Sequence, residues 1–383
     1  MKPDLRVCFI SSYPPNRGRL SEYAQSLVRE IAKRPAVGKV FVLADTVSGS
    51  EDKVVESRKV EVLRVWHPDR PFSVFKILWS LLLLKPDVVH FNLHFRSFGG
   101  SRLSNFFGFS LVLFSRLFGL RSVVLLHNLA EKADLEKLEV KMGFVNRVGL
   151  FLAMRFVLSG STLVVPVRSY VGYLRDRYGH RSVRYIPHGT YVSDHLSVNH
   201  AEKVVLVFGH MSPSKGLPVI FRAFEGMSKE VENVRLVVAG GSHPNFPYYL
   251  GRISKVAPSN TVFLGYVPEV SVAKVFDSAD VVVLPYLAAT GTSGVFHLAC
   301  GFGKPIVASA LPEIKELVGQ KSFALLVPPG DSNALRAAIT RVLYSEDLAA
   351  KMAFESLAFA EGERWGSVAE AYEAEYLKLF FAR

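Results

Sequence analysis

Short apolar runs recur along the whole chain, at 6–11, 39–44, 60–65, 88–92, 122–127, 162–167 and 182–186, and again at 204–209, 234–240, 261–264, 281–285, 305–309 and 323–327. Each is bounded by polar or turn residues and is too short for a helix, so each predicts a strand buried in a parallel sheet. The longer stretches between them carry apolar positions at helical spacing, which predicts crossover helices and an α/β chain. A polar stretch at 191–203 separates the two sets of strands. A length of 383 residues exceeds one ordinary core, so the pattern predicts two doubly wound, Rossmann-like domains facing across a cleft, with ligand at the carboxyl edges of the sheets. The expected boundaries are 1–190 for the first domain, 191–203 for a linker, 204–363 for the second domain and 364–383 for a terminal helix. That helix is read from Val368, Ala371, Tyr372, Tyr376, Leu377 and Phe380.

Composition narrows the class. With 49% hydrophobic and 21% charged residues the chain is globular rather than disordered. The net charge of +12 is unevenly placed: residues 1–190 hold 29 Lys and Arg against 15 Asp and Glu, and the remainder holds 17 against 19. An anionic partner for the first half follows, an acidic membrane surface or a phosphorylated lipid in preference to nucleic acid. Nucleic acid fits poorly, because the basic residues are interleaved with Phe, Leu and Val and no zinc-finger or RNA-binding signature is present. Segments 72–84, 106–120 and 144–158 mix Phe and Leu with isolated Arg or Lys. Each alone reads equally as a core helix or as a helix lying on a membrane; three in one half favour membrane contact. No run is long and clean enough to span a bilayer. Cys8 and Cys300 read as buried thiols of a reducing compartment, and the amino terminus has no signal-peptide core, so a cytoplasmic location is expected.

The chemistry centres on Lys215. It follows a strand closed by Gly209, in Phe208-Gly209-His210-Met211-Ser212-Pro213-Ser214-Lys215-Gly216. A strand ending in glycine, a turn and a lysine at a helix start set a cation where a phosphate lies, at the carboxyl edge of a sheet. Thr292, Ser293, Gly294 and Val295 open a second helix, whose small residues leave backbone N–H groups available to phosphate oxygens. Gly18, on the loop after the first strand, reads either as a plain turn or as a place where backbone approaches a diphosphate. Glu313 and Glu316 read as solvated.

These motifs, in this order, resemble the retaining nucleotide-sugar glycosyltransferases of the GT-B fold, in particular family 4. The carriers are Tyr13-Pro14-Pro15-Asn16-Arg17-Gly18, Lys85-Pro86-Asp87-Val88-Val89-His90, Leu126-His127-Asn128, Pro187-His188-Gly189, Gly209 with Lys215-Gly216, Gly265-Tyr266-Val267-Pro268 and Gly303-Lys304-Pro305. The resemblance implies transfer of a hexose from a UDP- or GDP-sugar to a lipid-linked or polysaccharide acceptor at the cytoplasmic membrane face. It places Gly18, Gly209, His210, Lys215, Val267, Thr292, Ser293, Gly294, Val295 and His297 on the donor side, with His127 and Lys215 catalytic. It places Arg17, His94, His127 and His188 on the acceptor side, and it implies that the terminal helix returns to the first domain. Two departures stand out. His210 occupies the place of an arginine, and Thr290 and Leu298 occupy the places of two glutamates, so the chain resembles a branch without them. With no Asp-x-Asp element and no cluster of Cys and His, no metal or cofactor is expected beyond the sugar nucleotide itself. A sugar-nucleotide epimerase of the same fold and a non-catalytic partner subunit are the alternatives.

Overall fold

The computed structural model describes residues 3–16, 18–129, 131–132, 143–194, 202–227, 233–289 and 291–382, with Arg19 by its backbone alone. Arg17 and Thr290 lie outside the described residues, as does most of the expected linker. The chain divides into two compact units, the first comprising Met1–Glu131, Lys141–Gly189 and Trp365–Arg383, the second built on Thr190–Arg364.

The first unit holds an eight-stranded sheet in the order β3-β4-β2-β1-β5-β6-β7-β8. Its strands are β1 (Leu5–Ile10), β2 (Val37–Asp45), β3 (Lys53–Val55), β4 (Val60–Trp66), β5 (Val88–Leu93), β6 (Ser122–Leu126), β7 (Thr162–Val165) and β8 (Val183–Tyr185). All pairings are parallel except that of β3 with β4. The helices are α1 (Arg19–Lys33), α2 (Val74–Leu84), α3 (Arg102–Leu117), α4 (Phe144–Val157) and α5 (Arg168–Tyr178). The chain order turns back between β1 and β5, and at such a switch point the carboxyl edge opens a crevice.

The second unit holds a six-stranded, wholly parallel sheet in the order β11-β10-β9-β12-β13-β14. Its strands are β9 (Lys203–Phe208), β10 (Val234–Ala239), β11 (Thr261–Gly265), β12 (Val281–Leu284), β13 (Ile306–Ser309) and β14 (Ala324–Val327). Around them lie α6 (Leu217–Met227), α7 (Tyr249–Ile253), α8 (Glu269–Asp277), α9 (Gly294–Gly301), α10 (Pro312–Val318), α11 (Ser332–Tyr344) and α12 (Glu346–Glu361). The switch point is between β9 and β12. Each sheet is covered on both faces, and two apolar clusters per unit form its core.

The last helix, α13 (Trp365–Phe381), belongs to the first unit. Trp365, Val368, Ala369, Tyr372 and Tyr376 enter the core built on β1, β2 and α1, and Tyr376 Oη lies 2.6 Å from Nδ1 of the buried His90. The polar stretch after Gly189 is not a free tether at its start. Ser193 N–H donates to Gly301 O at 2.8 Å, and a Cβ on Gly301 would meet Tyr191 O at 1.9 Å, so this piece packs on α9. Among the described residues no helix is long and apolar enough to cross a membrane. The cysteines are buried and unpaired, and burial pushes both thiols up.

Helices α2, α3 and α4 each have one apolar face in the core and further apolar residues at the surface. Val74, Ile77 and Leu81 of α2 are in the core, whereas Phe75, Trp79 and Leu83 on its other face are exposed, as is Phe72 just before it. The same division recurs in α3, with Val112 buried and Leu117 exposed, and in α4, with Met154 buried and Phe144 exposed.

Candidate functional site

In the second unit the ends of β9, β10, β11 and β12 converge at the carboxyl edge. Gly209 N–H donates to Ala239 O at 2.8 Å and Gly240 N–H to Gly265 O at 2.7 Å. Gly240 has φ 131, and a Cβ there would stand 2.0 Å from Gly209 O, so only glycine permits the approach. Lys215 lies in a 3₁₀ turn, Pro213–Lys215, which Gly216 closes at φ 72 before α6 begins at Leu217. The lysine therefore precedes the helix rather than opening it. A Cβ on Gly216 would sit 1.9 Å from Pro285 O, and Leu287 N–H donates to Ser214 O at 2.8 Å. The loop after β9 is thus clamped to the loop after β12.

That clamp fixes the half-buried Lys215, whose Nζ lies 3.7 Å from the centroid of the Tyr286 ring. A cation held over an aromatic face gives up rotamer freedom in advance of any ligand. Tyr286 Oη is 3.4 Å from Ser293 Oγ, and Ser293 is the N-cap of α9, its side chain accepting from Phe296 N–H. The first-turn amides of Gly294 and Val295 have no partner within the helix. An ammonium, a row of amides and the positive end of a helix dipole thus belong to one edge, and together they can hold an anion. His210 is half-buried with its ring 6.4 Å from that of His243. A second imidazole, not singled out from the sequence, thus stands beside His210, the residue at the position where the resemblance has an arginine. Val267 is partly buried against the core.

His297 corrects an expectation. It is 1% exposed, its Nε2 is 2.6 Å from Thr292 Oγ1, its backbone carbonyl accepts from Thr190 Oγ1 at 3.0 Å, and its Nδ1 stands 2.7 Å from Glu363 Oε2, off the line of a hydrogen bond. The residue ties α9 to the chain segments at either end of the unit, through its carbonyl to Thr190 and its ring to Glu363, so the ring is not offered to a ribose. The Thr292 hydroxyl is engaged by the same ring. Glu313, expected in solvent, is buried in the first turn of α10.

In the first unit the carboxyl ends of three adjacent strands, β1, β5 and β6, carry Ser11, Asn92 and His127. Asn92 Nδ2 donates to Ser11 Oγ at 2.9 Å and to Leu20 O at 3.4 Å, leaving its Oδ1 to accept from His127 Nε2 at 2.6 Å. With the proton thereby on Nε2, the Nδ1 of a neutral His127 is an acceptor. Burial, reinforced by the neighbouring His94, lowers the His127 pKa to about 3, so the ring is neutral at physiological pH and carries no cation to a reacting centre. Asn128 beside it is 1% exposed, and among the described residues neither of its side-chain polar atoms has a hydrogen-bond partner. His94 turns into its own loop, where Arg96 N–H approaches its Nδ1 at 3.3 Å. His188 stacks near Tyr23 and Trp365, at centroid distances of 4.9 and 5.9 Å, next to the chain's passage out of the unit at Gly189. Gly18 has φ 175, ordinary extended backbone, with nothing within 4 Å of an added Cβ. Neither conformation nor crowding within the described residues requires glycine there.

Comparison with known proteins follows this geometry. Residues 202–345 match the family described as glycosyl transferases group 1. The chain is 30% identical over 148 residues to a phosphatidyl-myo-inositol mannosyltransferase of Mycobacterium leprae, 38% of this chain and 38% of that one. The match therefore spans well under half of that curated relative. Over 99% of its length the chain superposes on sucrose-phosphate synthase from Thermosynechococcus elongatus, with TM-score 0.78, 20% identity and all of that chain covered. It superposes likewise on Anabaena HepE solved with UDP-glucose, with TM-score 0.73, 17% identity, and 98% and 99% of the two chains covered. Two doubly wound sheets, each mainly or wholly parallel, in one chain are thus the GT-B fold, and within the second unit residues 202–345 are similar to the glycosyl transferases group 1 family.

Proposed function

We propose that the protein is a retaining glycosyltransferase that moves a hexose from a UDP- or GDP-sugar to a lipid-linked or polysaccharide acceptor at the cytoplasmic face of a membrane. The observation that carries this is Lys215, immobilised over Tyr286 on the same sheet edge as the N-terminus of α9. The donor diphosphate is held by the Lys215 ammonium and by the amides of Gly294 and Val295. As the glycosidic bond breaks, negative charge grows on the leaving phosphate, and these groups, already in place, favour that charge over the ground state. Following the resemblance, the acceptor hydroxyl attacks from the face the leaving group vacates and gives its proton to a phosphate oxygen. No metal or further cofactor is assigned a step. His210 and His243 take the place of the family's arginine.

On the acceptor side, the neutral His127 offers its Nδ1 lone pair to a hydroxyl, and Asn92 fixes the ring that does so. Support for a lipid acceptor comes from the exposed aromatic faces of α2, α3 and α4 among the cations of a strongly basic first half, and from the lipid named in the mycobacterial relative. A helix face of this kind lies in the headgroup layer of an anionic bilayer. The test is a thermal-shift series with UDP, GDP and ADP and their sugars. One nucleotide family raises the melting temperature, because a ligand that binds only the folded chain stabilises it; no response to any of them refutes the donor assignment.

A further inference from the structure

The first unit contains a cavity of about 1070 Å³ apart from the donor- and acceptor-side residues described above, at the carboxyl ends of β2 and β4 and against α2. Arg64, in β4, lines it and is 6% exposed. One end of its guanidinium donates to Asp45 O at 2.8 Å and another to Pro14 O, while its Nε is buried with no hydrogen-bond partner among the described residues. Among the described residues no carboxylate forms an ion pair with it; the Asp45 carboxylate accepts instead from Tyr13 N–H and from the Asn16 amide. A buried cation whose hydrogen bonds go to carbonyls, with the nearby Asp45 carboxylate engaged by other donors, can still accept an anion at its free Nε edge. Lys76 on α2 also lines the cavity, its ammonium with no hydrogen-bond or ion-pair partner among the described residues, and His67 lines it with its Nδ1 2.5 Å from Thr46 Oγ1. Asp52 is the one acidic lining residue among those described.

The rest of the wall is aromatic. Phe75 and Trp79 line the cavity and are 59% and 64% exposed. With Phe72 and Leu83, at 72% and 66%, they form a stripe at helical spacing along α2, beside Lys76. An ordinary surface helix turns polar residues to this side. A free phosphate has no use for the stripe, and a neutral apolar ligand has no use for Arg64 and Lys76. We propose that the cavity binds one phosphate-bearing membrane lipid, its headgroup phosphate at Lys76 and Arg64 and its chains along Phe72, Phe75, Trp79 and Leu83. This rests on the membrane reading above and makes it specific, turning a general basic face into a single-lipid site that registers the chain on the bilayer.

The test uses the full chain and its own fluorescence, since Trp79 is exposed whereas Trp66 and Trp365 are 2% and 5% exposed. Monomeric dihexanoyl-phosphatidylglycerol is expected to shift Trp79 emission to the blue saturably, and dihexanoyl-phosphatidylcholine to bind at least about tenfold more weakly. Lys76→Glu, an exposed substitution, lowers phosphatidylglycerol affinity by about tenfold or more and leaves the nucleotide-induced rise in melting temperature unchanged. Equal binding of the two lipids, or an unaltered Lys76→Glu, overturns the proposal. Inorganic phosphate binding as tightly as the lipid also overturns it, leaving a plain anion site. Binding to phosphatidylglycerol vesicles without binding to the monomer removes the single-lipid site and leaves the membrane reading standing. Failure of the donor assignment shows separately, as no response to any nucleotide in the absence of lipid.

Discussion

Replacement of Lys215 by alanine separates structural from chemical roles, because the two differ in size. Structurally the variant loses one cation–π contact at 3.7 Å on a half-buried side chain, worth about 0.5–2 kcal/mol. In a domain of this length each kcal/mol moves the melting temperature by roughly 2–4 °C, so the protein stays folded. Chemically the variant loses a positioned positive charge where negative charge develops. Loss of one such group costs about 2.7–4 kcal/mol, a hundred- to thousand-fold in rate. The assay is nucleotide release from the sugar nucleotide, with and without lipid extract, read as kcat/KM beside the melting temperature with and without nucleotide. Tyr286→Phe keeps the ring under Nζ and is expected near wild type; Tyr286→Leu removes it and falls between wild type and Lys215→Ala. A Lys215→Ala protein turning over within about threefold of wild type, with the same nucleotide-induced stabilisation, refutes the role of this lysine and favours a non-catalytic subunit.

Three further outcomes follow from individual contacts. Gly216→Ala forces a left-handed φ on a side-chain residue and drives its Cβ to 1.9 Å from Pro285 O; the backbone strain alone is about 1–2 kcal/mol, so thermal unfolding moves down and nucleotide no longer restores it. Asn92→Leu leaves His127 Nε2 without its acceptor, a cost of about 1–3 kcal/mol. Ring ¹⁵N shifts of His127 then lose the pure Nε2–H tautomer, and retention of that tautomer refutes the polar chain from Ser11 to His127. Burial lowers the pKa of the fully buried His90 to about 3 from an ordinary 6.5. Between those values the unfolded chain binds a proton that the folded one does not, so stability is full above pH 6.5 and falls as the medium is acidified, by about 1.4 kcal/mol per pH unit. Half-buried His127, shifted in the same direction, adds a smaller share. Chemical denaturation at pH 7 and pH 5 reads this slope, and a flat profile shows that His90 titrates normally.

The strands were legible because a strand buried on both faces must be apolar throughout, and that leaves an uninterrupted run. β3 was not, since Lys53, Val54 and Val55 are all exposed and pair only with the edge of β4. Lys215 was legible from its turn, but not Tyr286 beneath it, because that contact exists only once β9 and β12 become neighbours in the sheet. His297 illustrates the limit of residue type as a signal. A histidine near a helix start serves a ligand or the core equally well, and what decides is Glu363, which lies far along the chain and reaches it only in the fold. Asn92 did leave a trace, a polar amide inside the buried run Val88-Val89-His90-Phe91-Asn92-Leu93, and an amide kept there against the cost of burial requires partners. The aromatic stripe on α2 was ambiguous in sequence because both of its faces are apolar, and only accessibility distinguishes them.

The placement of α13 sets an order on biogenesis. Tyr372 and Tyr376 fill the interior of a unit whose other elements all precede Gly189. A ribosome working through the chain releases the whole of the second unit before it supplies the piece that completes the first. Until α13 has been made, the earlier-made sheet presents an open greasy seat. A chain interrupted anywhere before Trp365 is therefore injured in the part made first.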